Sequence, residues 1–300
     1  MFNKEVKSVL DLIQVFPTEQ DCINHLEIIR WNSDVISPFD ASSKVWKCAG
    51  NKYQCKNTGK YFNVKTNTIF DNTKMPLQKW FLGIWIVTSH KKGISSLQLG
   101  RDLDITQKSA WFMLQRVRIC FGIENNNKLD NEVEIDESFV GGKESNKNKK
   151  SANVIIGNKT IVVGMVESDG KLKAVNVENR QAETICPIVY SKIKETATLY
   201  TNEHVAYTRL KNIYDHKFVK HTRKQYVSGR VHTNTIEGFW NLLKRGIFGI
   251  YHFTSKEHLQ MYVDEFVFRH NTRNITFENR FDLMLGNMEN HLTYKMLINA

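Results

Sequence analysis

The chain has 300 residues, of which 41% are hydrophobic and 24% charged. This composition excludes wholesale disorder and allows one large domain or two to three small ones. Its most apolar run, Trp80 to Val87, is far shorter than the roughly 20 residues a bilayer-spanning helix needs, so no membrane partner is expected. Lys plus Arg outnumber Asp plus Glu by 42 to 31, a net charge of +11. That excess suits a polyanion, nucleic acid foremost, and is equally compatible with a merely soluble basic protein.

The N-terminal MFNKEVKSVLDLIQVF mixes charges into its apolar pattern and reads as an amphipathic helix, not a secretory signal. The five cysteines, Cys22, Cys48, Cys55, Cys120 and Cys186, are scattered and form no CxxC pair. They make no disulfide framework and point to a reducing, intracellular setting. Cys120 and Cys186 have apolar neighbours and are expected to be buried. No HxH or HExxH pattern surrounds His204, His221, His232, His252 or His258, which argues against a zinc hydrolase.

Residues 1–75 are polar with scattered aromatics, and residues 76–124 turn helical. Within the latter, Gly93 to Arg118 (GISSLQLGRDLDITQKSAWFMLQRVR) reads as a helix-turn-helix. Ser95 caps its first helix, Asp104-Ile105-Thr106 makes the turn, and Thr106 caps the second. Ala110, Met113, Leu114 and Val117 form one apolar face. Gln107, Lys108, Gln115, Arg116 and Arg118 are left polar, as a helix reading a major groove requires. The same pattern also describes an ordinary helical hairpin with a solvated basic face.

Asn125 to Asn131 is a polar break, and Lys143 to Ser151, with Lys147, Lys149 and Lys150, is a basic loop suited to a DNA backbone. Strands are expected over Glu132 to Val140, Thr160 to Val166, Lys171 to Val177 and Ala197 to Thr201, the second and third joined by the turn Ser168-Asp169-Gly170. Helices are expected over Ala182 to Lys194, Thr235 to Arg245 and Lys256 to His270. This order gives an α/β layer fold with one mixed sheet.

Asp136 sits in the first of those strands, where an acid also commonly ends a strand. Glu237 lies in Asn234-Thr235-Ile236-Glu237, which reads as a capping box with Asn234 as N-cap. Along that helix Glu237, Asn241 and Lys244 share one face and Ile236, Phe239, Trp240 and Leu243 the buried one, with Gly246 as the expected stop. A carboxylate and a lysine on one face can serve a metal and a phosphate together.

At this point the sequence resembles the DDE-superfamily transposases of the branch joining zinc-ribbon insertion sequences to the Merlin DNA transposons. The resemblance runs through RWNSD (30–34), QCKNTGKYFNVKTNTIFDNTKMPLQKWF (54–81), VEIDESFVGGK (133–143), YTNEHVAYTRL (200–210), VHTNTIEGFWNLLKRGIFGIYH (231–252) and EFVFRHNTR (265–273). It implies a degenerate zinc-ribbon-like segment over 1–75, a helix-turn-helix over 76–124, a ribonuclease-H-like catalytic domain over 130–285 and a tail over 286–300. It implies two divalent ions, Mg²⁺ or Mn²⁺ if the chain is active, held by two Asp and one Glu. Asp136 takes the place of the first Asp, Glu237 that of the Glu, and Lys244 that of a phosphate-contacting lysine. Lys108, Arg116, Arg118, Lys244 and Arg245 are the expected DNA contacts.

The second Asp is replaced. Where the family reads Thr-Asp-Glu-His, this chain has Thr201-Asn202-Glu203-His204 at unchanged spacing. An amide brings no negative charge and bridges two dications poorly, and Glu203 substitutes only if the strand has already turned. The ribbon is altered too. The family's Cys-Pro-x-Cys is Ser37-Pro38-Phe39-Asp40 here, and its Cys-x-x-Cys is Cys55-Lys56-Asn57-Thr58. Zinc is not expected, and packing by Tyr53, Tyr61, Phe62 and Phe70 is left to hold the ribbon.

Three readings follow: a transposase-derived DNA-binding protein with weakened or lost catalysis, an active DDE transposase moving its own element, and a helix-turn-helix regulator without catalysis. The resemblance implies as partners double-stranded DNA with terminal inverted repeats and a second copy of the chain. It places the protein with the DNA, in the nucleus if the host is eukaryotic.

Overall fold

The computed structural model describes residues 6–122, 127–141, 159–168, 170–218, 227–228 and 231–299. The basic run with Lys147, Lys149 and Lys150, and likewise Asn125, Lys143, Asp169 and His221, lie outside the described residues. The chain forms two compact units, one of residues 1–123 with 274–300, the other of residues 124–273.

The first unit opens with α1 (Val9–Val15) and α2 (Glu19–Trp31). Each is started by a capping box, Ser8 with Asp11 and Thr18 with Asp21. A three-stranded antiparallel ribbon follows, β1 (Val45–Cys48), β2 (Lys52–Cys55) and β3 (Tyr61–Phe62). Trp31, Tyr53 and Phe62 pack behind it, Tyr53 and Phe62 stacked at 5.7 Å. Tyr61 is 61% exposed, and Phe70 packs on Trp80 instead of the ribbon. The aromatic support expected from four residues therefore comes from Tyr53 and Phe62, with Trp31 added.

Three helices come next, α3 (Leu77–Ser89), α4 (Ser96–Asp102) and α5 (Gln107–Ile119). Ser95 and Thr106 cap α4 and α5 by accepting the backbone N–H of Gln98 and Ser109. Asp104 turns the chain between them at φ 49°. A Cβ on Gly100 would stand 3.0 Å from the Ile105 carbonyl oxygen, so the bare glycine lets the turn close against α4.

The second unit is built on a five-stranded sheet: β4 (Glu132–Val140), β5 (Thr160–Glu167), β6 (Leu172–Val177), β7 (Thr198–Thr201) and β8 (Asp215–Phe218). Their order is β6-β5-β4-β7-β8. β5 runs antiparallel to both β4 and β6, while β7 lies parallel to β4 and β8 parallel to β7. This mixed topology, three antiparallel strands extended by two parallel ones, is ribonuclease-H-like. α6 (Ala182–Lys192) follows β6, with Pro187 tolerated inside it. A 3-10 helix (Val205–Asn212) follows β7, and α7 (Asn234–Gly246) and α8 (Leu259–Asn271) close the unit.

Both sheet faces are covered, which is why β5 is apolar along nearly its whole length. Ile161, Val163 and Met165 pack with Ile185 and Val189 of α6, while Val162 and Val166 pack with Ile236, Phe239 and Leu243 of α7 and Val263 and Phe266 of α8. β4 alternates differently. Val133 and Ile135 join the α6 face, and period two turns Glu134 and Asp136 toward α7.

The chain then returns to the first unit with α9 (Phe277–Leu285) and α10 (Tyr294–Ile298). The sequence expectation carries the catalytic domain to 285 and leaves 286–300 as a tail. The unit boundary falls at 273 instead, for reasons visible in the contacts. Phe281 packs on Phe81, Ile69 N–H donates to the Met288 carbonyl at 2.9 Å, and Arg30 pairs with Glu289 at 2.8 Å. Among the described residues no helix is long and apolar enough to cross a membrane.

Candidate active site

The centre of the site follows from strand register. β7 pairs with the first half of β4, Thr201 opposite Ile135. The next residue on each strand is then Asn202 and Asp136, side by side. Asn202 Nδ2 donates to Asp136 Oδ1 at 2.9 Å, and Asn202 Oδ1 accepts the His204 N–H at 2.9 Å. This is the only orientation in which both ends of the amide are paired, because the reverse would set its oxygen against a carboxylate oxygen.

The other oxygen of Asp136 is held from α7. Trp240 Nε1 donates to Asp136 Oδ2 at 3.0 Å. α7 can lie this close because Gly164 of β5, directly opposite Asp136, has no side chain. A Cβ there would be 2.7 Å from Ile236 and 2.8 Å from the Trp240 ring. The start of α7 is tied down by Glu134, fully buried, whose Oε2 accepts the Ile236 N–H at 2.9 Å. Glu237 follows, half-buried, its carboxylate accepting from Thr233 Oγ1 at 3.4 Å.

The expected capping box at Asn234 is not formed. The helix starts one residue earlier, with Thr233 as N-cap, and the acceptor comes from Glu134 on the sheet. Gly246 is also not a stop. The chain continues into a π-helical turn (Ile247–Tyr251), and the glycine is needed because a Cβ would collide with the Phe266 ring.

Burial pushes Asp136 up to about 6, and neighbouring Glu137 adds to the rise. The hydrogen bonds from Trp240 and Asn202 pull the other way without cancelling it. Glu137 faces away from Asp136, where it accepts the Tyr207 hydroxyl at 2.7 Å and meets Arg180 at 3.5 Å. Buried Tyr207 thereby fixes to β4 the 3-10 helix that follows the Asn202 turn.

The structure thus brings Asp136 and Asn202 into contact and sets Glu237 on the helix that holds Asp136. Lys244, half-buried, and Arg245, exposed with its Nε donating to the Asn241 carbonyl at 3.0 Å, lie further along α7. The other expected DNA contacts belong to the first unit. Lys108 is exposed in the first turn of α5, its ammonium 5.3 Å from the Tyr294 ring centroid.

Arg116 and Arg118 are corrections. They are 6% and 1% exposed. Arg116 donates to the carbonyls of Ile69, Asp71 and Leu292 at 2.8–3.0 Å, and Arg118 to Gln115 Oε1 at 3.3 Å. The second half of α5 is enclosed on all sides, so its guanidiniums cross-link the unit and do not face solvent.

Of the three positions, Asp136 and Glu237 offer carboxylates and Asn202 a neutral amide. Hard dications take oxygen ligands, and carboxylates supply the charge that an amide lacks; here the Asn202 amide presents N–H to Asp136 and its oxygen accepts the His204 N–H. Glu203 is exposed just after the strand ends. Among the described residues no three His, Cys, Asp or Glu side chains come together as a metal site.

Trp240, Glu134 and Gly164 were not singled out as site residues from the sequence. Two of them carried a signal. A tryptophan on a buried helix face needs a partner for its N–H, and Glu134 shares strand parity with Asp136.

Residues 128–271 match the family model of the ISXO2-like transposase domain. The chain is 26% identical over 275 residues to an uncharacterized protein in transposable element ISH50 of Halobacterium salinarum, covering 86% of this chain and 92% of that one. Among solved structures it matches a pre-cleavage Mos1 transpososome at 11% identity and TM-score 0.27, over 95% of this chain and 97% of that one. It also matches a simian T-cell lymphotropic virus intasome in complex with PP2A regulatory subunit B56 gamma at 10% identity and TM-score 0.30, over 59% and 65%. The matched ISXO2-like region spans the sheet, Asp136 and Glu237 together, and with the ISH50 relative it supports a DDE-type transposase family.

Proposed function

We propose that this protein is a transposase-derived DNA-binding protein whose strand-cleaving centre is weakened or lost. The hydrogen bond from Asn202 to Asp136 carries the reading. In two-metal phosphoryl transfer one ion activates the attacking oxygen and the other stabilises the leaving one, and a shared carboxylate holds both. By resemblance the position of that shared carboxylate is Asn202, a neutral amide whose N–H donates to Asp136. Losing that bridge is expected to cost about 4 kcal/mol of transition-state stabilisation, a factor of roughly 10³ in rate.

Double-stranded DNA is the partner that fits the net charge of +11, with Lys108 exposed at the start of α5 and Lys244 and Arg245 on α7. By family resemblance the DNA carries the terminal inverted repeats of an element, two copies of the chain act on paired ends, and the protein resides with the DNA inside the cell. The helices and strands that carry Asp136, Glu237 and Lys244 are complete, which supports descent from an active enzyme and recovery by one substitution.

A strand-cleavage assay on duplexes from the DNA flanking this gene, in Mg²⁺ or Mn²⁺, tests the proposal. The chain is expected to bind the duplex and leave it intact, and Asn202→Asp to nick it. Cleavage by the unmodified chain at the rate of the Asp variant overturns the loss of catalysis and restores the reading of an active transposase.

A further inference from the structure

In the N-terminal ribbon, the four positions that the family resemblance gives to zinc ligands hold Ser37, Asp40, Cys55 and Thr58. Zinc in a structural site takes four thiolate or imidazole ligands. The two hydroxyls are poor ligands, and both oxygens of Asp40 are already engaged. Oδ1 accepts the N–H and hydroxyl of Ser42 at 2.9 and 2.7 Å, and Oδ2 accepts Asn57 Nδ2 at 2.7 Å. The set does not fit the metal.

The two turns are nonetheless joined. Ser37 Oγ accepts the N–H groups of Phe39 and Asp40 at 3.2 and 3.4 Å, which folds the first turn on itself. Three hydrogen bonds then cross to the second turn. Asn57 Nδ2 reaches Asp40, Asn57 N–H donates to Ser43 Oγ at 3.0 Å, and Lys56 N–H donates to the Lys44 carbonyl at 3.0 Å. The second turn closes by Gly59 N–H on the Cys55 carbonyl at 2.8 Å, with Gly59 at φ +68°, where a side chain would be strained. Cys55 is fully buried between the turns. Burial opposes its ionisation, but hydrogen bonds with the hydroxyls of Ser37, Ser43 and Thr58 outweigh that and bring the thiol down to about 6. The hydroxyls thus surround the one remaining sulfur. Phe39, from the first turn, packs edge-on against Phe62 of β3 at 6.2 Å.

We infer that the hydrogen bonds centred on Asp40, Ser43 and Asn57 perform in this chain the cross-linking that a zinc ion performs in a ribbon of four cysteines, so that the ribbon closes without metal. The inference is independent of whether the chain cleaves DNA, since it concerns the first unit alone.

Amide hydrogen exchange on the full-length chain reads this directly. Protection over residues 45–62 is expected to be unchanged by excess EDTA, and metal analysis to find far less than one zinc per chain. Asp40→Ala is expected to speed exchange in that segment about tenfold or more while leaving β4 to β6 unaffected. If Asp40→Ala does not fold, Asn57→Asp tests the same bond by opposing two carboxylates. Its exchange, corrected for the intrinsic rate, should exceed that of the unmodified chain at pH 7 and approach it near pH 4. One zinc per chain with EDTA-sensitive protection overturns the inference, as does unchanged protection in both variants.

Discussion

At the scale of single residues, the candidate site is defined by where hydrogens point. Asp136 accepts from an amide on one oxygen and an indole on the other. Two neutral N–H donors satisfy this half-buried carboxylate without a cation, a different arrangement from one that shares carboxylates between metals. A second half-buried aspartate makes the charge argument testable away from the site. Asp264, on α8, is pushed up to about 6 by burial, with the hydrogen bond from Gln260 opposing the rise. Because its folded pKa lies above the unfolded 3.8, it binds a proton more readily in the folded state. Its contribution is fully present below pH 4 and is lost as pH rises through 6. Asp264→Asn is therefore expected to stabilise the protein at pH 7.5, on the order of 2 kcal/mol, and to change little at pH 3.5. Urea melts at the two pH values check this.

At the scale of elements, α7 decides the site, and its seat is a close approach. Gly164 gives the helix room, Glu134 holds its first turn, and Trp240 reaches Asp136 as a result. Gly164→Ala is expected to push Ile236 and Trp240 off the sheet, costing about 1–3 kcal/mol. The blue shift of tryptophan emission that accompanies burial should weaken, and denaturant melts should move to lower midpoints.

Much of this architecture was legible in the residues. β4 alternates well enough for a strand, and α7 carries both its apolar stripe and its acid-to-lysine face. The caps Ser95 and Thr106 are local signals read within three residues of each helix start. What was not legible is tertiary. The capping acceptor of α7 comes from a strand 102 residues away, so a local box at Asn234 was the natural but incorrect expectation. Arg116 and Arg118 look solvated because guanidiniums usually are. They are buried because carbonyls of residues 69, 71 and 292 and the Gln115 side chain supply acceptors that no helical pattern around them announces. Asn202 stood out in the sequence because the flanking Thr201, Glu203 and His204 match the motif of the resembled family, which has aspartate at that place.

At the scale of the whole molecule, the chain leaves its first unit to build the ribonuclease-H-like unit and then comes back. Residues 286–300 are part of the first unit's framework, through Met288 on Ile69, Glu289 on Arg30, Leu292 on Arg116 and Tyr294 on Phe112. Ending the chain at residue 285 should destabilise the first unit by about 3–5 kcal/mol, by loss of charged hydrogen bonds and their buried partners. Hydrogen exchange would report this as lost protection in α3 to α5 with β4 to β7 unchanged.

The central claim is that the second unit keeps the fold of a strand-transferring enzyme while Asn202 denies it the metals. Calorimetric titration of Mn²⁺ into the full-length chain tests this without any knowledge of the target DNA. The unmodified chain should bind Mn²⁺ at least about tenfold more weakly than Asn202→Asp, whose saturable site Glu237→Gln removes. Saturable binding to the unmodified chain as tight as to Asn202→Asp, abolished by Asp136→Asn, would contradict the account.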